Sequence, residues 1–96
     1  MKIRILSSAI EDLSNGFKFY ESQRRNLGSY FLESLISDID SLKLKAGVHQ
    51  KVFGHYRLLS KRFPYAIYYK KESDEILIDA ILDCRRNPNW IKERLH

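Results

Sequence analysis

Residues 55–71, HYRLLSKRFPYAIYYKK from His55 to Lys71, decide how this 96-residue chain folds. Aromatic and aliphatic residues, which suit a pleated and half-buried surface, crowd both ends of the stretch, and Phe63-Pro64 breaks it where proline cannot donate to a ladder. It reads as a strand from Tyr56 to Phe63 and a second from Tyr65 to Lys71. The polar turn Lys71 to Asp74 then leads into a third strand, Glu75 to Asp83. Consecutive strands with links this short form an antiparallel meander.

Upstream the periodicity is different. Met1 to Leu6 alternates Ile3 and Ile5 with Lys2 and Arg4, a short strand. Ser8 and Glu11 have the spacing of a capping box, and Ile10, Leu13, Phe17 and Tyr20 recur as one apolar helical stripe. Arg24-Arg25-Asn26 and Gly28 interrupt that stripe, after which Phe31, Leu32, Leu35, Ile36, Ile39 and Leu42 predict a longer helix ending near Gly47. The short break favours an antiparallel helical hairpin. Val48 to Gly54 reads as a linker, and Pro88 suits the first turn of a terminal helix carrying Trp90 to Leu95. The order β-α-α-β-β-β-α predicts an α+β fold of two layers in one domain, residues 1–96, with the hairpin packed on a mainly antiparallel four-stranded sheet.

Charge is uneven along the chain. Of the net +5, residues 1–48 hold seven Lys or Arg against six Asp or Glu, and residues 49–96 hold ten against six. No acid lies between Asp40 and Glu72, an interval that carries Lys43, Lys45, Lys51, Arg57, Lys61, Arg62, Lys70 and Lys71. An anionic partner is implied. A single cysteine, Cys84, excludes an internal disulfide. MKIRIL is too short and too charged for a signal peptide, and no apolar run approaches the roughly 18 residues of a membrane span, so a cytoplasmic protein without membrane partners is expected. No His/Cys cluster has metal-ligand spacing, so neither a metal nor another cofactor is expected.

The residues Tyr56-Arg57-Leu58-Leu59, Arg62-Phe63-Pro64-Tyr65-Ala66-Ile67-Tyr68-Tyr69 and Cys84-Arg85-Arg86-Asn87-Pro88 followed by Trp90 resemble the RelE/ParE superfamily of bacterial type II toxins (plasmid stabilisation system proteins), and in particular its ParE branch. Ala9, Asp12 and Leu13 resemble that family's first helix, so nearly the whole chain takes part. The resemblance implies a growth-inhibiting toxin neutralised by a cognate antitoxin through an acidic or amphipathic segment. Its ParE side implies DNA gyrase as the target of a toxin that is not itself an enzyme. Its RelE side implies a metal-independent, ribosome-dependent mRNA endoribonuclease, and a toxin-like interaction module without activity is a third possibility.

The residues of the nuclease branch match poorly. Tyr65-Ala66 stands where that branch begins a strand Tyr-Arg, Arg57 and Leu59 stand where it has two lysines, and Trp90 replaces a tyrosine. Only Arg85 or Arg86 matches. The candidate target-binding residues are therefore Arg57, Lys61, Arg62, Arg85, Arg86 and Trp90; a nuclease would use those arginines and Lys61 on phosphate, with His55 as base. His55 is otherwise expected to be a solvated loop histidine, and Cys84 an inert packed thiol at the end of a buried strand. Asp79 and Asp83 are expected on one face of the last strand, paired with Arg57 or Arg85. Tyr65, Ile67 and Tyr69 face one side of the sheet and Ala66 and Tyr68 the other, with most tyrosines in the core or at its rim. The basic strip also suits an acidic antitoxin segment, docked on the strand edge from Tyr56 to Phe63 or in the groove between hairpin and sheet.

Overall fold

The structure is a computed structural model describing residues 1–96. Its elements are β1 (Lys2–Ile5), α1 (Ser7–Gln23), α2 (Leu27–Asp40), α3 (Leu42–Lys45), β2 (Lys51–Val52), β3 (His55–Leu59), β4 (Tyr65–Glu72), β5 (Glu75–Asp83) and α4 (Pro88–Arg94). The sheet runs β1-β5-β4-β3-β2, with β1 parallel to β5 and every other pair antiparallel. The expected α+β fold is present, with five strands instead of four. The additional strand lies in the expected linker: Lys51 pairs with Tyr56 and Val52 with His55. Phe53 and Gly54 close that hairpin at φ 51° and 81°, the positive values a two-residue turn between twisted strands requires. A strand this short shows no periodicity of its own.

Each face of the sheet has its own core. On one side α1 and α2 bury Ala9, Leu13, Tyr20, Phe31, Leu35 and Ile39 against Tyr65, Ile67, Tyr69, Ile76, Ile78 and Ile81. On the other side α4 lays Ile91 and Leu95 over Ala66, Tyr68, Ala80 and Leu82. The second face is thus partly covered, and the two-layer expectation becomes hairpin, sheet and a short third layer. Ile10 and Ile36, expected in the helical stripes, are exposed, while Gly16 and Gly28 are buried where the two helices approach. Small residues bring the backbones together, so the burial stripe passes through glycine instead of isoleucine.

A bulge sets the phase of β5. Tyr69 aligns with Ile78 but Tyr68 with Ala80, which leaves Asp79 as an extra residue. Ile78 and Ile81 therefore both reach the helical core despite their odd spacing. Asp79 and Asp83 do not share a face, contrary to strict alternation. Asp79 turns to His55, and Asp83 turns to Arg85 beside Tyr20 and Tyr65.

Side chains close the places where backbone pairing stops. β1 covers β5 only from Glu75 to Ile78. Beyond it the Ile81 N–H donates to Asp12 Oδ2 at 3.0 Å, and the Ser8 hydroxyl donates to the Asp79 carbonyl at 2.8 Å. Ser8 therefore makes no capping box; it lies inside α1, whose N-cap Leu6 has no side-chain hydrogen bond. The first amides of α2 are served by Glu21, which accepts from the Asn26 and Gly28 N–H groups at 3.1 and 3.0 Å. A carboxylate at that end also complements the helix dipole.

The Tyr69 ring is fully buried, and its hydroxyl accepts from the Gly47 N–H at 3.0 Å and shares a hydrogen bond with His49 Nδ1. Burial, and secondarily the Lys45 charge, hold the His49 pKa below the usual 6.5. The folded state binds this proton less tightly than the unfolded chain, so the contribution is complete above pH 6.5 and is lost as pH falls towards the lowered value. The stability of the native chain relative to a His49→Gln variant should decline below pH 6.5 in denaturant titrations; a pH-independent difference would refute this. Gly28→Ala should cost about 1–3 kcal/mol by overpacking, because its Cβ would lie 2.7 Å from the Phe17 carbonyl oxygen. A lower urea midpoint measures it, and an unchanged midpoint would mean that the helices separate freely.

Candidate functional site

β3, the β2–β3 turn and the segment after β5 meet in a cleft of about 220 Å³ lined by Val52, Phe53, Arg57, Tyr68, Cys84, Arg86, Pro88 and Ile91. Arg57 reaches it because it is registered against Tyr68, on the face turned away from the helical hairpin. Its guanidinium lies beside the Tyr68 phenol. Burial nevertheless raises the Tyr68 pKa, with Arg57 opposing, so the phenol keeps its proton at neutrality. The Cys84 thiol is likewise pushed up by desolvation, which outweighs the lowering by Arg57. Cys84 itself is exposed, not packed, because β5 ends at Asp83 and the chain has begun to turn.

Arg86 forms the other wall, its guanidinium 3.8 Å from the centre of the Trp90 ring. Arg94 approaches the same ring at 5.7 Å and also donates to Asp12 at 2.8 Å. Trp90 is thus held between cations, and α4 is tied by Arg94 to α1. Arg86 continues into an adjoining groove with Asp12, Asn15, Tyr65, Asp83, Trp90 and Arg94. Neither Arg57 nor Arg86 forms an ion pair, and no carboxylate lines the cleft they share. Two guanidinium forks free of ion pairs, over an apolar floor of Val52, Pro88 and Ile91, can bind an anionic group carrying an apolar neighbour.

The other sequence candidates lie elsewhere. Arg85 is paired with Asp83 through Nε at 3.0 Å and Nη2 at 2.7 Å. This bond first, and then burial in opposition, leaves the Asp83 carboxyl below its usual range, while Asp83 raises the Arg85 pKa. Arg85 points towards Tyr20 and Tyr65 on the hairpin side, away from Arg57. Lys61 and Arg62 are exposed in the β3–β4 loop and line neither the cleft nor the groove. That loop is fastened to α2 by Ser60, whose hydroxyl donates to Asp38 Oδ2 at 2.7 Å. β3 ends at Leu59, and β2 covers its start, so the free strand edge is shorter than expected.

His55 is only 2% exposed and is not a loop side chain. Its Nε2 lies 2.7 Å from Asp79 Oδ2 and its Nδ1 3.2 Å from the Phe53 carbonyl oxygen. Both ring nitrogens are occupied by these contacts, which leaves neither turned towards a ribose hydroxyl. Its task is to hold the β2–β3 turn, and with it Phe53, against the bulged Asp79. Phe53 was missed in the sequence, because a bulky residue rarely takes the positive φ of 51° it holds here and Gly54 alone signals only a turn.

Replacing His55 with Ala should destabilise the fold by about 1–3 kcal/mol, the cost of leaving buried polar groups without partners. Amide hydrogen exchange at Lys51 to Arg57 should accelerate more than in α1. Uniform acceleration or none would remove the turn-holding role.

No protein-family model and no curated protein matches this chain in sequence. Among solved structures, a chain of the "Chromosomal ParDE TA system from P. aeruginosa" superposes with a TM-score of 0.76 at 19% identity, over 84% of this chain and 92% of that one. The two chains share a fold. No helix here is long and apolar enough to cross a membrane.

Proposed function

We propose that this chain is a ParE-like toxin that stops growth by binding DNA gyrase and is held inactive by a cognate antitoxin. The observation that carries this is the shared fold with a chain of a ParDE TA system, over nearly the full length of both. The sequence resemblance at Arg57, Phe63-Pro64-Tyr65 and Arg85-Arg86-Asn87-Pro88 points the same way and is independent of the superposition.

The arginine cleft supports binding in preference to hydrolysis. RNA cleavage needs a base for the 2′-OH and an acid for the departing oxygen. The groups facing the cleft are two guanidinium ions, a phenol and a thiol, the last two with raised pKa values. His55, the remaining candidate base, has both nitrogens engaged away from the cleft. Arg57 and Arg86 are well suited to a surface carboxylate or phosphate on a larger partner, with Phe53 as an apolar contact. Arg85, Lys61 and Arg62 have secondary importance in this scheme. The antitoxin would cover the same cleft or the exposed apolar residues of the hairpin, Phe19, Tyr30 and Ile36.

Inducible expression with and without the neighbouring antitoxin gene, followed by supercoiling and mRNA-cleavage assays on purified protein, tests the proposal. Growth should stop without the antitoxin, gyrase should be inhibited, and mRNA ends should stay unaltered. Arg57→Gln with Arg86→Gln should weaken gyrase inhibition about tenfold or more, the scale of losing one or two charged hydrogen bonds, while Arg85→Gln should have a smaller effect. Undisturbed growth would overturn the toxin role, mapped codon-specific cuts the binding mechanism, and full inhibition by the well-folded double variant the role of the cleft.

A further inference from the structure

The acid-free interval contains more cations than the arginine cleft uses. Lys45, Lys51 and Lys71 gather instead on the other side of the β2–β3 hairpin, while Lys70, between Tyr69 and Lys71 in β4, borders the same hollow with its side chain on the opposite face of the sheet. Val52 and Phe53 wall the arginine cleft, whereas Lys51 and Gly54 wall a second hollow of about 240 Å³ with Tyr56, Tyr69, Lys70, Lys71 and Glu72. All four lysines are exposed and none forms an ion pair. Glu72 is the one acid at its rim.

These lysines stand on a rigid support. Tyr69 is fixed by Gly47 and His49, and Tyr56 stacks on it with ring centres 5.2 Å apart and planes at 23°. Lys51 Nζ sits 4.9 Å from the centre of the Tyr56 ring. Lys45 is close enough to His49 to lower its pKa, and the Lys71 side chain reaches the Gly47 turn. Gly54, at φ 81°, adds no side chain and has open space around it. Positive charge is thus presented from three segments around one buried tyrosine.

We propose that this hollow binds the phosphodiester backbone of duplex DNA without regard to sequence. Lysines supply mobile point charges suited to a run of phosphates, and no arginine fork is present to read a base edge. The Tyr56 ring is occupied by Lys51 and Tyr69, so unstacked bases of a single strand find no free aromatic face. An acidic protein segment would need apolar anchors for affinity, and the two aromatic residues lining the hollow are already engaged. The choice of DNA rests on the gyrase assignment above, since gyrase presents the toxin with a duplex; the lysine site itself rests on its geometry alone.

Fluorescence anisotropy with a labelled 20-base-pair DNA duplex of arbitrary sequence, measured from about 50 to 200 mM salt, tests this, because each neutralised phosphate contributes a log–log slope of about −0.9. The Lys45→Gln, Lys51→Gln, Lys71→Gln triple variant should lose nearly 3 units of slope and bind about tenfold or more weakly at the low-salt end. Arg57→Gln with Arg86→Gln should lose fewer units of slope than the lysine variant. Charge reversal at Lys71 alone, Lys71→Glu, gives a second measure should the triple variant fold poorly by circular dichroism, and it too should weaken binding. Native-like affinity in the lysine variants overturns the site, and so does loss of binding confined to the arginine variant. Equal affinity for duplex RNA overturns the choice of DNA, and tighter binding of a poly-glutamate peptide overturns the choice of nucleic acid. Gyrase inhibition is measured separately: a chain that inhibits gyrase but binds no duplex overturns this proposal alone. A chain that binds DNA through the lysines but leaves gyrase active supports it and removes the gyrase assignment alone.

Discussion

One carboxylate holds the layers of this molecule together. The longest strand, β5, is covered by β1 over only its first half, which leaves the outer edge from Asp79 onward without a strand partner. Asp12, 8% exposed, accepts from the Ile81 N–H on that edge and from Arg94 of the terminal helix. It therefore joins α1, β5 and α4. A buried amide left unpaired costs about 1–3 kcal/mol, and without Arg94 fastened, α4 would keep only Ile91 and Leu95 on the sheet. Trp90, and the Arg86 stacked upon it, owe their position beside the cleft to that linkage.

The same economy of polar groups recurs wherever regular pairing ends. Glu21 closes the start of α2, Ser8 the bulged carbonyl of Asp79, Asp38 the β3–β4 loop, and His55 the β2–β3 turn. Each contact spans elements that are distant or reversed in sequence, and no buried side-chain nitrogen or oxygen is left without a partner. A small sheet with a helix on each side has many strand ends close to its surface. Short polar side chains at those ends let the two apolar cores meet the sheet without leaving backbone groups dry and unpaired.

Charge is organised by the same geometry. An interval that looked like one basic strip divides in space, because alternate residues of a strand face opposite sides and the β2–β3 hairpin stands between them. Arg57 joins Arg86 on the α4 side, Lys45, Lys51 and Lys71 gather around Tyr69, and Lys61 with Arg62 stays at the far loop. Arg85, one residue from Arg86, is withdrawn from the cleft by its two bonds to Asp83.

The α+β class, the helical hairpin, the β4 and β5 strands and the turn of Pro88 were legible because each extends over enough residues for a period or a breaker to show. Arg57, Arg86 and Trp90 stood out as candidates through the family resemblance, and the structure places them along two adjoining hollows. β2 was hidden because two residues carry no period, and the bulge at Asp79 because an inserted residue looks the same as any other in a row of letters. His55 lay outside any local pattern: its burial comes from Asp79, 24 positions away, and from the Phe53 carbonyl. The sequence by itself thus determined which segments become helix or strand, since propensity and periodicity act between near neighbours. Which cations share a cleft, which acid neutralises which base and which face of the sheet is covered were decided by the tertiary structure, because those contacts depend on register and on packing between residues far apart in the chain.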